Sequence, residues 1–296
     1  MALSTDILSK YKKASEISKK VKTYGKSLAK PGVSYLELSE KIENKIRELG
    51  AELAFPANLS VNDVAAHYCA THNDKNVLKK GDLVKLDVGI QIDGYIVDSA
   101  ISFGIETKVH DKMIKTARSA LDNAIKVLKP GVKVSEIGAQ IETTIENAGF
   151  KVIKNLSGHG LDQYVVHAGY NIPNYDNKSN ETLKKGDVIA IEPFVTNGRG
   201  AIREGPSSGI YELKAAKPVR LHKDVLKYII EKYKTLPFSE REVEKKFGEL
   251  KTKLALKNFA RMGILYDHTV LLEEKGSYVA QFEHTIIIDD KPIILG

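Results

Sequence analysis

One five-residue phrase occurs twice in this chain of 296 residues. Leu-Lys-Lys-Gly-Asp fills positions 78–82 and again 183–187, and each copy precedes an apolar run that is typical of a β-strand. Each run carries an acid five residues after the Asp of the phrase, Asp87 in the first and Glu192 in the second. A carboxylate in an apolar strand is costly unless a positive charge meets it. Its recurrence at one offset indicates a metal ion shared by two related halves.

The repeat extends upstream of this phrase. Lys-Pro-Gly-Val occurs at 30–33 and 129–132, and after each copy an apolar helical stripe leads to a glycine, Gly50 or Gly149. Glycine is preferred where a helix ends. The stripes are Leu38, Ile42, Ile46 and Leu49, and Ile137, Ile141, Ile145 and Ala148. The period of roughly 100 residues is too long for a solenoid, so we expect related halves with a site at their seam. A simple turn before a strand is the alternative explanation of the phrase.

The composition limits the class of protein. Hydrophobic residues make up 42% of the chain, which is enough for a sizeable core. The N-terminal residues do not resemble a signal peptide, and no apolar run has the length of a membrane span. The single cysteine, Cys69, excludes an internal disulfide and suits a reducing compartment. We therefore expect a soluble, cytoplasmic monomer that has no membrane partner.

Positive charge is concentrated in one segment that has no counterpart in the first half. Residues 214–257 hold 13 Lys and Arg and 6 Asp and Glu, an excess that equals the net charge of +7 of the whole chain. The pattern predicts three helices, at 224–234, 239–247 and 249–262. We interpret 214–262 as a helical insertion within a single catalytic domain that spans 1–296.

Two details of these helices are also predicted. Ser239 and Glu242 have the spacing of a capping box at the start of the second helix. Leu250, Leu254 and Phe259 are expected to form one apolar face of the third helix.

The Asp-Gly pair at 93–94 separates two apolar runs and is a strong signal for a β-hairpin with a two-residue turn. Such a turn pairs Gly89 with Asp98 and Asp87 with Ala100. Asp87 and Asp98 then lie on one face as diagonal neighbours, within reach of one ion. Two acids that face each other in an apolar hairpin repel, and a dication between them would remove that penalty.

Three further side chains complete an oxygen-rich set. Glu192 lies on the equivalent strand of the second half, Glu283 precedes an apolar run, and His159 stands between two glycines. Flanking glycines allow a backbone to approach a ligand closely. Four carboxylates and one imidazole suit two Mn, Fe(II), Co or Zn ions.

The segments that carry these residues resemble methionine aminopeptidase. The matching phrases are Leu-Asp-Val-Gly at 86–89, Asp-Gly-Tyr-Ile-Val-Asp at 93–98, Ser-Gly-His-Gly at 157–160, Ile-Glu-Pro at 191–193 and Gln-Phe-Glu-His-Thr at 281–285. The match covers nearly the whole chain in order, and the basic helical segment resembles the type II branch. The absence of a long N-terminal extension resembles the archaeal members of that branch. The resemblance implies the α+β pita-bread fold, in which a pseudo-twofold curved antiparallel sheet carries outer helices.

The resemblance also implies an activity and a role for each ligand. The activity is removal of the N-terminal methionine from nascent proteins when the second residue is small, by a water that two divalent ions activate. Asp87 would hold the first ion, and His159 and Glu192 the second. Asp98 and Glu283 would bridge both. Glu192 would also shuttle the proton of the water toward the leaving amine.

Four more positions match the substrate side of the family's site. His67 corresponds to a histidine near the scissile bond, and His167 to one that contacts the substrate carbonyl, although a purely structural role is the alternative for both. Phe55 and Val166 match part of the methionine side-chain pocket. His268 stands where a tyrosine often lines that pocket, which leaves its lining open.

Other partners and functions stay open at this stage. The basic segment is a candidate docking surface for ribosomal RNA, with a solvated helical face as the alternative. A proline dipeptidase or Xaa-Pro aminopeptidase shares the fold and the metals, although those enzymes usually carry an extra N-terminal domain. A metal-free relative that binds ribosomes or RNA is the rival from another class, although such relatives lack ligands that this chain keeps.

Overall fold

The computed structural model describes residues 3–296. The helices are α1 Thr5–Leu28, α2 Tyr35–Glu48, α3 Asp111–Lys126, α4 Val134–Asn147, α5 Lys223–Tyr233, α6 Glu240–Phe247 and α7 Glu249–Arg261. The strands are β1 Glu52–Val61, β2 Val64–Ala66, β3 Leu83–Ile92, β4 Tyr95–Gly104, β5 Lys151–Val152, β6 Ser157–Asp162, β7 Val165–Pro173, β8 Val188–Ile191, β9 Phe194–Thr196, β10 Arg203–Leu213, β11 Phe238–Ser239, β12 Leu265–Leu272, β13 Val279–Gln281, β14 His284–Ile287 and β15 Ile293–Leu295.

The strands pair in antiparallel fashion in four sheets. Their orders are β1-β3-β4, β11-β10-β12-β2, β13-β9-β5 and β15-β14-β8-β6-β7. Helices α1 and α2 cover the first of these sheets, while α3 and α4 pack on the strands of the second half. The predicted α+β class with outer helices is therefore observed. No helix among the described residues has the length and hydrophobicity that crossing a bilayer requires.

The two copies of the sequence repeat adopt the same local structure. Gly32 N donates to Leu78 O at 2.8 Å, and Gly131 N donates to Leu183 O at 2.7 Å. The two glycines have φ of 86° and 87°, a left-handed conformation that favours glycine. The upstream Pro-Gly turn is thus tied to the Leu-Lys-Lys-Gly-Asp phrase identically in both halves, which a simple turn before a strand does not require.

The aspartate of the shared phrase closes its own turn. Lys79 N donates to Asp82 Oδ2 at 2.7 Å, and Lys184 N donates to Asp187 Oδ2 at 2.6 Å. A short carboxylate side chain that accepts from a nearby backbone N–H stabilises such turns. In each half, the turn is followed by a strand that leads to an acid of the cavity.

Strands β3 and β4 form the predicted hairpin. Gly89 pairs with Asp98 and Asp87 pairs with Ala100, as the two-residue turn requires. The turn residues have φ of 52° and 84°, and positive values at both positions are what a type I′ hairpin turn needs. This register places both acids on the same face of the hairpin.

The basic segment is helical as predicted, but the predicted apolar face of α7 was wrong. Helices α5, α6 and α7 begin and end within one residue of the predicted bounds, and Ser239 Oγ accepts from Glu242 N at 3.3 Å. Leu250 and Leu254, however, are 76% and 54% exposed, whereas Phe259 is fully buried. At about 100° per residue, Phe259 lies roughly half a turn away from both leucines, so the predicted apolar face was wrong. The assignment of the segment as an insertion stays a prediction.

Candidate metal centre

The side chains selected from the sequence line one small cavity of about 60 Å³. They are Phe55, His67, Asp87, Asp98, His159, Val166, His167, Glu192 and Glu283. The same cavity is lined by further residues that the sequence did not single out for it, namely Asn58, Ala66, Ile210 and Pro237, and by His268. Residues from both halves and from the basic segment therefore meet at one place.

Side-chain atoms of four of the five predicted ligands converge at the seam between the halves, and Asp87 lines the same cavity. Asp98, His159 and Glu283 are buried, and one ligand atom from each lies within 4.8 Å of the others. His159 Nε2 is 3.7 Å from Asp98 Oδ2 and 3.5 Å from Glu192 Oε1. Glu283 N donates to Ala100 O at 3.1 Å, which joins the segment before β14 to β4.

His159 presents its Nε2 lone pair to the acids. Its Nδ1 lies 3.1 Å from Gly160 O, and a carbonyl can only accept, so Nδ1 carries the proton. Burial, reinforced by the neighbouring His167, lowers the pKa of His159 to about 3. The ring is therefore neutral, and the Gly160 carbonyl orients it in the way that metal-binding imidazoles are usually held.

The four carboxylates are poorly accommodated as anions without a cation. Burial raises the pKa of Asp87 to about 7. Burial and the charge of Asp87 raise the pKa of Asp98, and burial together with the charge of Asp98 raises the pKa of Glu192 and Glu283. The Oδ1 atoms of Asp87 and Asp98 are buried without a hydrogen-bond partner. A divalent ion fits such a site, since it replaces both the missing donors and the missing positive charge.

Two polar side chains outside the predicted set hold the ligands in place. Gln281 Nε2 donates to Glu192 Oε2 at 3.4 Å and to Glu283 Oε2 at 3.5 Å. The Thr285 hydroxyl accepts from Asp98 N at 2.8 Å and donates to Asp98 O at 2.9 Å. Both lie two residues from Glu283 in sequence, but Gln281 ends β13 and Thr285 belongs to β14, so no single strand alternation could have identified them.

Three histidines besides His159 also line the cavity. The His67 ring meets His268 edge-on at 5.6 Å between centroids, and His268 Nε2 lies 3.1 Å from Glu212 Oε2. The His167 ring is 4.3 Å from that of His159, at the solvent-exposed mouth. Burial lowers the pKa of His67 to about 3 and also lowers the pKa of His167. Both rings are neutral at pH 7 and can donate or accept a hydrogen bond.

A buried lysine behind the acids was not anticipated. Lys22 lies on α1, is 5% exposed, and its Nζ has no hydrogen-bond partner. Burial lowers its pKa to about 8, while the negative charges of Glu283, Asp87 and Asp98 oppose that shift. An unpaired ammonium in the interior is costly. The negative charges of the acid cluster offset part of that cost.

Comparison with known proteins identifies the family. The model of metallopeptidase family M24 matches residues 9–290. The chain belongs to family M24. A methionine aminopeptidase of this family from Pyrococcus horikoshii is 48% identical over 93% of this chain and 94% of its own length. Methionine aminopeptidase 2-2 of Aspergillus terreus is 34% identical over 97% of this chain and 70% of its own length. The predicted assignment to type II methionine aminopeptidases is confirmed.

Solved structures confirm the M24 pita-bread fold. The structure of a thermophilic Arx1 has a TM-score of 0.85 at 18% identity, covering 98% of this chain and 90% of that chain. Methionine aminopeptidase from Thermotoga maritima has a TM-score of 0.72 at 22% identity, covering 99% and 98%. At these identities the likeness concerns the fold alone.

Proposed function

We propose that this chain removes the N-terminal methionine from nascent polypeptides by metal-dependent hydrolysis when the second residue is small. The observation that carries the proposal is that every predicted ligand and substrate-side residue lines the same cavity. The relatives named methionine aminopeptidase support the substrate, since they match nearly the whole chain.

We infer that the cavity holds two divalent ions, chosen among Co, Mn, Fe(II) and Zn. Asp87 would hold one and His159 and Glu192 the other, with Asp98 and Glu283 shared. Bound there, the ions would supply a Lewis acid and a water of lowered pKa. The unpartnered Oδ1 atoms of the two aspartates support this assignment.

Glu192 is the residue that we expect to carry a proton during the reaction. Its Oε1 lies 3.5 Å from His159 Nε2, and its Oε2 is held by Gln281 at 3.4 Å. Burial raises its pKa, and a carboxylate with a raised pKa can take a proton near neutral pH and return it to a leaving amine.

His67 and His167 are expected to bind the substrate around its first peptide bond. Both rings are neutral and line the same cavity as the acids. A neutral imidazole N–H can donate to the carbonyl oxygen as negative charge develops on it. Phe55 and Val166 would contact the methionine side chain. A Cβ at position 89 would overlap the Phe55 ring, so the glycine there leaves the space that this ring occupies.

The decisive experiment is peptide cleavage by metal-free protein titrated separately with Mn, Fe(II), Co and Zn. Met-Ala-Ser should be cleaved to free methionine with at least one ion, while Ala-Pro should remain intact. Cleavage of Ala-Pro alone would assign the chain to the proline-specific branch. A protein that binds no metal and cleaves neither peptide would instead be a binding protein of the same fold.

We also propose that the ribosome is a partner, through the outer face of α7. Lys251 pairs with Asp224 at 2.5 Å and Lys253 with Glu249 at 2.6 Å, so their charges are largely neutralised. Lys257 and Arg261 are exposed and form no ion pair within residues 3–296. They continue the stripe of the exposed Leu250 and Leu254 along the helix, which supports docking at this face.

Co-sedimentation with ribosomes across a salt series tests this partner. Lys257→Gln with Arg261→Gln should reduce pelleting at low salt and flatten its salt dependence, because phosphate contacts release counterions. The matched control is Lys251→Gln with Lys253→Gln, which removes the same formal charge from the same helix at paired positions. Equal pelleting of both double variants and the wild type would contradict docking and leave the peptidase proposal intact.

A further inference from the structure

One side chain that lines the cavity carries an acceptor with no donor. Asn58 lies on β1 and is 4% exposed, and its Oδ1 is buried without a hydrogen-bond partner. Its Nδ2 donates to Pro56 O at 3.0 Å. Because a carbonyl can only accept, this bond fixes the nitrogen end of the amide and leaves the oxygen as the unused end. Such an atom is costly to bury unless a ligand satisfies it.

A second acceptor lies directly opposite. Asn58 pairs with Asp87 in the register of β1 and β3, and side chains at paired positions project on the same face with Cβ atoms about 5 Å apart. Asp87 Oδ1 is also buried without a donor. A divalent ion can satisfy the carboxylate, but it leaves the neutral amide oxygen of Asn58 in need of an N–H or O–H donor.

The neighbouring wall indicates which donor belongs there. Phe55 is three residues before Asn58, and its ring packs against Gly89, two residues after Asp87 on the same face. A substrate whose first side chain lies against Phe55 therefore brings its α-nitrogen next to Asn58 and Asp87. An amino group has N–H bonds to donate, which suits an amide oxygen that the ion leaves without a donor.

We propose that Asn58 Oδ1 accepts a hydrogen bond from an N–H of the α-amino group of the substrate, which makes Asn58 a determinant of specificity for a free N-terminus. The inference rests on the proposed function and deepens it.

The backbone around Asn58 is held in a way that suits a preorganised acceptor. The pairing of β1 with β3 shifts register between Phe55 and Asn58, and Ala57 N donates to Glu43 Oε1 at 3.3 Å instead of to β3. The amide therefore meets its ligand without further ordering, which limits the entropy lost on binding.

Kinetics of Met-Ala-Ser cleavage at saturating Mn²⁺ provide the first test. Asn58→Leu and Asn58→Ala should raise KM about 10–100-fold, the cost of leaving a buried donor without its acceptor, while kcat changes less than about threefold because binding is lost equally in ground and transition states. The affinity for Mn²⁺, measured by calorimetry, should stay at the wild-type value. Ser60→Ala is the matched control: Ser60 is buried on the same strand and accepts from Tyr68 N at 3.4 Å, but it does not line the cavity.

A binding cycle then isolates the contribution of the amino group. L-Methionine and 4-(methylthio)butanoate, which is methionine without its amino group, are titrated into Mn²⁺-loaded wild type and Asn58→Leu. Methionine should bind the variant about 10–100-fold more weakly, and the desamino acid should bind both proteins alike. Equal weakening of the two ligands, or none for methionine, would overturn the role of Asn58. Failure of the wild type to cleave Met-Ala-Ser with any metal would count against the proposed function instead.

Discussion

Glu43 and Arg241 form a buried bidentate ion pair across 198 residues of sequence. Arg241 Nη2 is 2.8 Å from Glu43 Oε1, Nη1 is 3.1 Å from Oε2, and both side chains are 1% exposed. Glu43 belongs to α2 and Arg241 to α6. The pair therefore fastens the basic helical segment to the first half of the fold.

The same two side chains also hold the backbone of two cavity walls. Glu43 Oε1 accepts from Ala57 N at 3.3 Å, beside the cavity-lining Asn58. Arg241 Nε donates to Ala70 O at 3.1 Å, three residues after His67. Both backbone contacts of the pair thus support a segment that lines the cavity.

Removing one partner of this pair should destabilise the protein more than removing both. Arg241→Met leaves the Glu43 carboxylate buried without its cation, and we expect a loss of about 3–5 kcal/mol in the free energy of unfolding. Glu43→Leu combined with Arg241→Met replaces the pair by apolar side chains and should recover part of that loss, because Ala57 N and Ala70 O still lose the partners that the pair gives them. Urea denaturation of the metal-free proteins measures both. A double variant no more stable than Arg241→Met alone would show that the pair has no apolar substitute here.

Metal affinity should increase with pH up to neutrality. In the metal-free protein burial raises the pKa of Asp87 to about 7, so below that pH the carboxyl holds a proton that an incoming ion must displace. Burial lowers the pKa of His159 to about 3, so this ligand holds no proton in the same range. We expect the apparent Kd for Mn²⁺ to fall by at least about tenfold between about pH 5.5 and 7.5.

Calorimetry in buffers of different ionisation enthalpy supplies the check. Proton release should be substantial at about pH 6, because an incoming ion displaces protons from Asp87 and from the other acids whose pKa burial raises. A Kd that does not change with pH, together with no proton release at about pH 6, would mean that the acids are already charged before the metal binds.

Local chemistry explains why half of the site could be located from the sequence. An Asp-Gly turn permits one register of its hairpin, so the order of residues is enough to place Asp87 and Asp98 on one face. The duplicated phrase points to Glu192 because each copy precedes its strand in the same way.

Tertiary packing explains what the sequence does not show. Arg241 stands between Glu240 and Glu242 in sequence, and neither neighbour indicates that its partner lies on α2. The burial of Lys22 has no local signal because lysines dominate its surroundings in sequence, and Asn58 escapes notice because a bulged strand has no simple alternation. The exposure of Leu250 and Leu254 is equally hidden, because apolar spacing alone does not say whether a stripe is covered.

The buried charge of Lys22 should weaken metal binding. The negative charges that act on its buried ammonium are those of Glu283, Asp87 and Asp98. A dication placed among those acids is repelled by the ammonium. Lys22→Met should therefore tighten Mn²⁺ binding at about pH 7.5 by roughly tenfold. Lys22→Arg keeps the charge and serves as the control with wild-type affinity. Weaker binding in Lys22→Met would assign the lysine to packing of α1 rather than to the charge balance of the site.

His67 and His167 should be needed for cleavage but not for metal binding. Each lines the cavity without belonging to the cluster of Asp98, His159 and Glu283. We expect His67→Ala and His167→Ala to lose about 2–4 kcal/mol of transition-state stabilisation in kcat/KM, the value of one positioned donor. Calorimetry should show unchanged Mn²⁺ affinity in both.

The backbone at His67 makes a further variant necessary. Its φ is 62°, a left-handed conformation that alanine tolerates poorly and asparagine tolerates better. His67→Asn therefore keeps the local fold while removing the imidazole, and it should lose as much activity as His67→Ala. His72→Ala, at an exposed position outside the cavity, is the control for removing a histidine. If His67→Asn restored wild-type kcat/KM, the left-handed turn and not the imidazole would be what the reaction requires at this position.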